Sequence, residues 1–574
     1  MTDNIHQELV SLNDDFFAHK HSRDPLTATE LGLHAFDGEL PDLTPEGEHA
    51  TAQGYRAIQS RIETLLGDAE TSGEGLAFTE RINLEVMDAL AYGAVTELED
   101  ELWARNISAG GYVSPQARIF QTVPTAVLAD ASGVESYLER LRQLPALFLT
   151  IRDRYQEADR QRHFSTAAGV HQAIAQLDGH LGLDDAHDLF INVALPAGFE
   201  GERERIRDLV HREIRPAIAA VRDYLAGDPT AHARGDEEVG LCVLGDGQEL
   251  YTRALLRHTT TAMTPEEIHR LGLETLARLD EEWAEVGNRV FGISDRRSLF
   301  DRLRGDQSLR FENSSQIIEV VTRALATAEQ AQSQWFPDRP IARCVVEEIS
   351  TAEAENAALA YYRGPSDDGT RPGAHCVLTT VPTERFRYEY EALAFHESVP
   401  GHHLQIATAQ TLTELPAFRR YLDAEVSAFV EGWGLYAERL ADEMGLYSGD
   451  LARLGMLSFE ALRASRCVVD TGMHYYGWSR QRAIEFMWEN SATNMANITN
   501  EIDRYIGWPG QATAYLVGRR EIGRLRKEAE RRLRSDFDIR DFHGVILGQG
   551  AIPLGVAASV VEAWVHSTSD LRRP

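Results

Sequence analysis

The 574-residue chain is 43% hydrophobic and 26% charged, a balance that excludes wholesale disorder and suffices for a large apolar core. Its 90 acidic against 57 basic residues leave a net charge of −33, which argues against a protein that coats nucleic acid or an anionic membrane. The cysteines Cys242, Cys344, Cys376 and Cys467 form no C-x-x-C pair, so neither a disulfide scaffold nor a cysteine-based zinc finger is expected.

The first residues, MTDNIHQELVSLNDDFF, lack a basic segment followed by an apolar run, and no apolar stretch reaches 18 residues. The expectation is a cytoplasmic protein without a membrane span. Helical periodicity then dominates. Residues 134–159 and 202–226 repeat apolar positions every three or four residues with charges between. Residues 228–247 gather Gly, Asp and Pro, a weak boundary that divides the chain into an N-terminal helical region, 1–235, forming one side of a cleft, and a metal-binding region, 236–574. A helix over 264–287 opens with Thr264-Pro265-Glu266-Glu267, a cap, a proline in the first turn and a glutamate three residues after the cap. Residues 314–335 and 519–534 also read as helices. Two β-like runs, 341–349 and 374–381, flank a segment of turn formers, 361–373, and predict a small antiparallel sheet beside the active-site cleft. No repeat of 20–50 residues interrupts this pattern.

The residues that carry chemistry lie at 394–406, AFHESVPGHHLQI, where His396, Glu397, His402 and His403 fall within eight positions. Imidazoles are common zinc ligands, and a catalytic site needs three protein ligands with one open position. The familiar H-E-x-x-H spacing fails here, because Pro400 occupies the place of the second histidine. On an unbroken helix His396 and His402 would be ~9 Å and about 120° apart, too far to share a metal. Pro400 and Gly401 provide the break that can swing one over the other. About thirty residues on, EVSAFVEGWGLYAE (425–438) has helical spacing and offers a carboxylate ligand in Glu431, 29 residues after His402, or Glu425, 23 after. Glu438 reads as a solvated position, whereas Glu431 sits among Phe429, Val430 and Trp433. Gly432 and Gly434 inside that helix point to close packing or a nearby ligand.

These strings resemble the DUF885 family, placed with the gluzincin-like metallopeptidases. The resemblance rests on the H-E-x-x-P-G-H-H-L-Q run His396–Gln405 and on Glu431-Gly432-Trp433-Gly434-Leu435-Tyr436. It extends to Asp368–Gly373, Val469–His474, Arg504–Ala512, Phe542-His543, Gly550, Pro553 and Leu554, so that it spans about residues 240–555. It implies a mainly α fold similar to the helical peptidases of the thimet-oligopeptidase, angiotensin-converting-enzyme and M32 types. It further implies one Zn²⁺ per chain on His396, His402 and Glu431, with His403 as the alternative to His402, and Glu397 as general base. The run 505–518 is similar to the substrate-closing loop of the M32 carboxypeptidases and makes Tyr515 or Tyr505 the donor to an oxyanion. His474 and His543 are further catalytic candidates.

Three residues are candidates for substrate binding: Arg371 for a carboxylate, His375 on a strand that could pair with an extended peptide, and Gln405. Cys376 would lie near the same cleft, and Asp470 or Gln405 could orient a ligand histidine. The resulting expectation is a zinc-dependent hydrolase of peptide or peptide-like amide bonds in short peptides, with neither nucleic acid nor membrane as partner. The competing readings are a metal-dependent enzyme that tailors a small amide metabolite and a catalytically silent binding protein.

Overall fold

A computed structural model describes residues 2–72, 76–349, 358–367 and 369–570, and these fold mainly as α-helices grouped in two compact units. The first comprises Met1–Leu250, Gly477–Gln481 and Asp503–Trp508; the second comprises Tyr251–Tyr476, Arg482–Ile502 and Pro509–Pro574. The expected boundary at 235 lies inside the first unit. The stretch 228–247 is no linker, because buried Arg234 donates to the carbonyls of Phe164 and Gly240 and ties it into the first unit.

The first unit is built around α1 (Ala131–Arg160), capped by Asp130, whose side chain accepts from the amides of Ser132 and Gly133. Its apolar stripe, with Leu138, Leu141, Phe148 and Ile151, packs with Ile206, Val210, Ile214, Ile218 and Val221 in one core. The single helix expected over 202–226 is divided. α2 (Glu202–Leu209) passes through a π turn at Val210–Ile214 into α3 (Arg215–Leu225). Pro216, in the first turn of α3, lacks the amide that a continuous helix would need there.

In the second unit α4 (Pro265–Phe291) starts at the predicted cap. Thr264 accepts from the Glu267 amide and Glu267 accepts from the Thr264 amide at 2.9 Å, and Gly292 closes the helix in the left-handed region. α5 (Ser314–Ala331) leads to the sheet. That sheet is mixed, not antiparallel, with order β1 (Cys344–Glu348), β3 (Gly373–Val377), β2 (Ala360–Arg363). β1 pairs with β3 in parallel, and β2 pairs with β3 antiparallel. The turn-forming segment hides β2, so the two predicted strands are not joined by a hairpin. Because β3 is central, both its edges are paired and it cannot accept a peptide, contrary to expectation.

The remaining elements hold the site. α6 (Tyr390–Glu397) and α7 (His402–Gln410) flank the Pro-Gly break. α8 (Ser427–Glu443), α9 (Asp450–His474) and α10 (Ala514–Leu533) follow, then α11 (Ile539–Leu547). α9 is buried continuously from Leu454 to His474, so its charges must find partners inside. Glu460 receives Arg278, Arg439 and Arg519, and Arg466 binds Glu501. α8 and α10 cross at Gly432 and Gly518; a Cβ on Gly432 would lie 2.5 Å from the Gly518 backbone. Among the described residues no helix is long and apolar enough to cross a membrane.

Candidate metal centre

The break between α6 and α7 sets the geometry. α6 ends at Glu397, the chain turns through Ser398–Gly401, and α7 begins at His402. A side chain at Gly401 would put its Cβ 1.9 Å from the His396 carbonyl, so only glycine allows this turn. The Trp433 indole donates to the Pro400 carbonyl at 2.9 Å and pins the break to α8. The His396 and His402 rings consequently stand 4.6 Å apart, nearly perpendicular. Glu431 enters from α8, with Oε2 3.5 Å from His396 Nε2 and 3.4 Å from His402 Nε2.

One donor atom from each of these three residues lies within 4.8 Å of the others. Ligands 2.0–2.1 Å from a tetrahedral ion are separated by about 3.3 Å, so the spacing to Glu431 suits a zinc-sized cation. Glu431 Oε2 is buried and makes no hydrogen bond among the described residues, as a ligand atom should. The electrostatics agree. Burial opposes charge on His396, yet Glu431, Glu438 and Glu397 raise its pKa to about 9. Burial likewise pushes the Glu431 carboxyl up, but the His396 and His402 rings hold it well below the usual carboxylate range. A field that draws a proton to His396 also draws a divalent cation. The residues therefore fit the expected ion.

Glu438 corrects the sequence reading. It is not solvated but 1% exposed, and it accepts from His396 Nδ1 at 2.8 Å, fixing Nε2 as the free donor atom. The signal was present in the sequence, since Glu438 follows Glu431 by seven residues, two turns along the same face of α8. Replacing Glu438 by Gln is expected to weaken metal affinity by about 10–100-fold with the fold intact, measured by competition with a fluorescent chelator.

The other candidates separate clearly. Glu397 ends α6, 7% exposed, next to His396. His403 faces away from the cluster, with its Nδ1 2.9 Å from the Tyr362 hydroxyl on β2, so it is not the second ligand. Glu425 is exposed in the turn before α8 and is not the third. Tyr515, at the start of α10, stacks on His396 at 6.4 Å with the Arg466 guanidinium 4.3 Å from its ring centre. Tyr505 belongs to the first unit, where it is fully buried. His474 is buried at the end of α9 and stacks on Tyr251. His543 on α11 uses both nitrogens structurally, Nδ1 donating to the Trp335 carbonyl and Nε2 accepting from Tyr436. Burial lowers its pKa to about 3, so the ring is neutral near pH 7.

The Asp470 carboxylate accepts from the Tyr251 hydroxyl and the Gly510 amide. Gln405 is buried one turn after His402, and among the described residues its amide has no hydrogen-bond partner. Arg371 lies half-buried in the β2–β3 connection, its amide donating to Ser366 Oγ. Asp368 of the same segment lies outside the described residues. His375 and Cys376 are buried on opposite faces of β3.

A family model described as "Bacterial protein of unknown function (DUF885)" matches residues 25–561. Among solved structures, one described as a "putative lipoprotein" from Colwellia psychrerythraea is similar over 98% of this chain and 99% of its own. Its TM-score is 0.88 at 24% identity. A second, described as a "putative lipoprotein of unknown function" from Shewanella oneidensis, is similar over 96% of this chain and 99% of its own, with a TM-score of 0.74 at 18% identity. At these identities the likeness establishes the fold alone. No curated protein matches the chain.

Proposed function

The chain belongs to the DUF885 family, and from that premise we propose that it is a zinc-dependent hydrolase of peptide or peptide-like amide bonds, related to the helical gluzincin-like metallopeptidases. The convergence of His396, His402 and Glu431, with Glu438 behind His396, carries this reading. A zinc ion held by those three residues supplies Lewis-acid polarisation of a carbonyl and acidifies a water.

The chain's own groups do the rest. Glu438 accepts from His396 Nδ1 and keeps the imidazole oriented. Glu397 takes a proton from the attacking water as its oxygen bonds to the carbonyl carbon. The same carboxyl then gives that proton to the amine nitrogen as the C–N bond breaks. The Tyr515 hydroxyl donates to the oxygen that becomes negative, and Arg466 over its ring stabilises that orientation. Burial of His396, Glu397 and His402 limits competing water and strengthens each interaction.

The reading is tested with a library of short peptides and small amides incubated with zinc-loaded protein. Cleavage that stops on chelation and returns with added zinc is the expected result. A loaded protein that cleaves no member of the library would reject it. The cytoplasmic location is proposed unchanged from the sequence; the lipoprotein descriptions of the two similar structures make cell fractionation its test.

A further inference from the structure

Helix α9 buries four charged side chains between Leu454 and His474. Glu460 is bound by three arginines, Arg466 by Glu501, and Asp470 accepts from Tyr251 and Gly510. The fourth, Arg463, turns to Glu438. Its Nη2 lies 3.6 Å from Glu438 Oε1, the same oxygen that accepts from His396 Nδ1 at 2.8 Å. Across that imidazole, Nε2 is the atom 3.5 Å from Glu431 Oε2. A guanidinium on α9, a carboxylate on α8 and a ligand imidazole on α6 therefore stand in sequence behind the metal position.

Both charges of this pair are buried, Arg463 at 5% exposure and Glu438 at 1%. Among the described residues Glu438 is the one carboxylate in ion-pair contact with Arg463. The rest of the guanidinium is enclosed by aromatic rings, 4.6 Å from the Phe459 ring centre and 5.8 Å from that of Tyr515. Arg463 Nε and Nη1 and Glu438 Oε2 have no hydrogen-bond partner among the described residues. A buried ion pair repays its desolvation only when such atoms are satisfied, and apolar residues of the same size are often as stabilising or more so. Stability therefore explains this pair poorly. The imidazole it backs explains it better. An imidazole bound to a metal is neutral, so the Glu438 carboxylate behind it needs a counter-charge from another direction, and Arg463 supplies one.

We propose that Arg463 is a positioning residue of the metal centre: it holds the Glu438 carboxylate against His396 and so fixes the direction in which Nε2 meets the ion. This inference rests on the metal centre of the reading above and extends it outward from Glu438 to α9.

The test is a double-mutant cycle on zinc affinity, measured on the full chain by competition with a fluorescent chelator. Arg463→Met is expected to weaken zinc binding by about tenfold or more, the loss typical of an outer partner of a ligand histidine. Glu438→Gln removes the carboxylate through which Arg463 acts, so the double variant should bind zinc no more weakly than Glu438→Gln alone. Arg463→Lys keeps the charge and should bind zinc more tightly than Arg463→Met. Thermal unfolding of the metal-free proteins gives a second readout. Arg463→Met should lower Tm by leaving a carboxylate buried without its counter-charge, and adding Glu438→Gln should raise Tm again. If Arg463→Met does not fold, Arg463→Gln takes its place in the cycle.

The proposal is overturned if Arg463→Met holds zinc as the wild type does, or if the two losses multiply in the double variant. It is equally overturned if Arg463→Lys is as weak as Arg463→Met, which would leave Arg463 as packing between α8 and α9. Wild-type protein that binds no zinc removes the metal centre and this proposal with it. Wild-type protein that holds zinc, follows the cycle and cleaves no amide rejects the hydrolase reading alone.

Discussion

Replacing Glu397 by Gln is expected to lower turnover by about 10²–10⁴-fold, the range attributable to a positioned general base, while zinc content and thermal stability stay at wild-type values. Glutamine keeps the shape of the side chain at the end of α6 but cannot accept the proton of the attacking water. His396 loses only one of three carboxylates that act on it, since Glu431 and Glu438 remain. Single-turnover kinetics beside metal analysis separates the two effects. A variant that lost zinc in parallel with activity would make Glu397 a structural support of the site and remove it from the chemistry.

Gly434→Ala is expected to damage the centre from the opposite side. In an ordinary helix interior this change gains up to about 1 kcal/mol. Gly523, on α10, is such a place, with no neighbouring atom in the path of a new Cβ. At Gly434 the added Cβ would lie 2.6 Å from His396 Cε1 and 2.8 Å from Nε2. Nε2 is the atom that would bind the metal, so the ring must move or α8 must shift. Forced overpacking of this kind costs about 1–3 kcal/mol. Metal affinity should fall by more than about 100-fold, beyond the loss expected for an outer-shell partner. Gly523→Ala should bind metal normally and unfold at an equal or higher temperature. Equal behaviour of the two variants in denaturation and metal titration would refute the close contact between α8 and His396.

What could be read in the sequence depended on how local the information was. His396, Glu397, Pro400, Gly401 and His402 are close in the chain, and the need to bring two histidines together predicts the break that separates α6 from α7. The Thr264–Glu267 cap and Gly434 were also legible, because each reports on its immediate surroundings. Glu438 reads as solvated because acidic residues on helices usually are, although its spacing from Glu431 places both on one face. The sheet was misread for a different reason: β2 lies among turn formers, and the order of three strands depends on contacts that no local pattern encodes. His543 reads as a catalytic candidate in the sequence because its two partners, Trp335 and Tyr436, are both more than a hundred residues away.

The central claim is that His396, His402 and Glu431 hold a divalent ion. It is tested most directly by elemental analysis of purified protein, wild type beside His396→Ala, each loaded with zinc and passed through a desalting column. The account predicts about one zinc per chain in the wild type and none retained by the variant. Wild-type protein that retains no zinc, manganese or cobalt under any loading condition would contradict it, and the histidines would then be no more than part of the packing between α6 and α7.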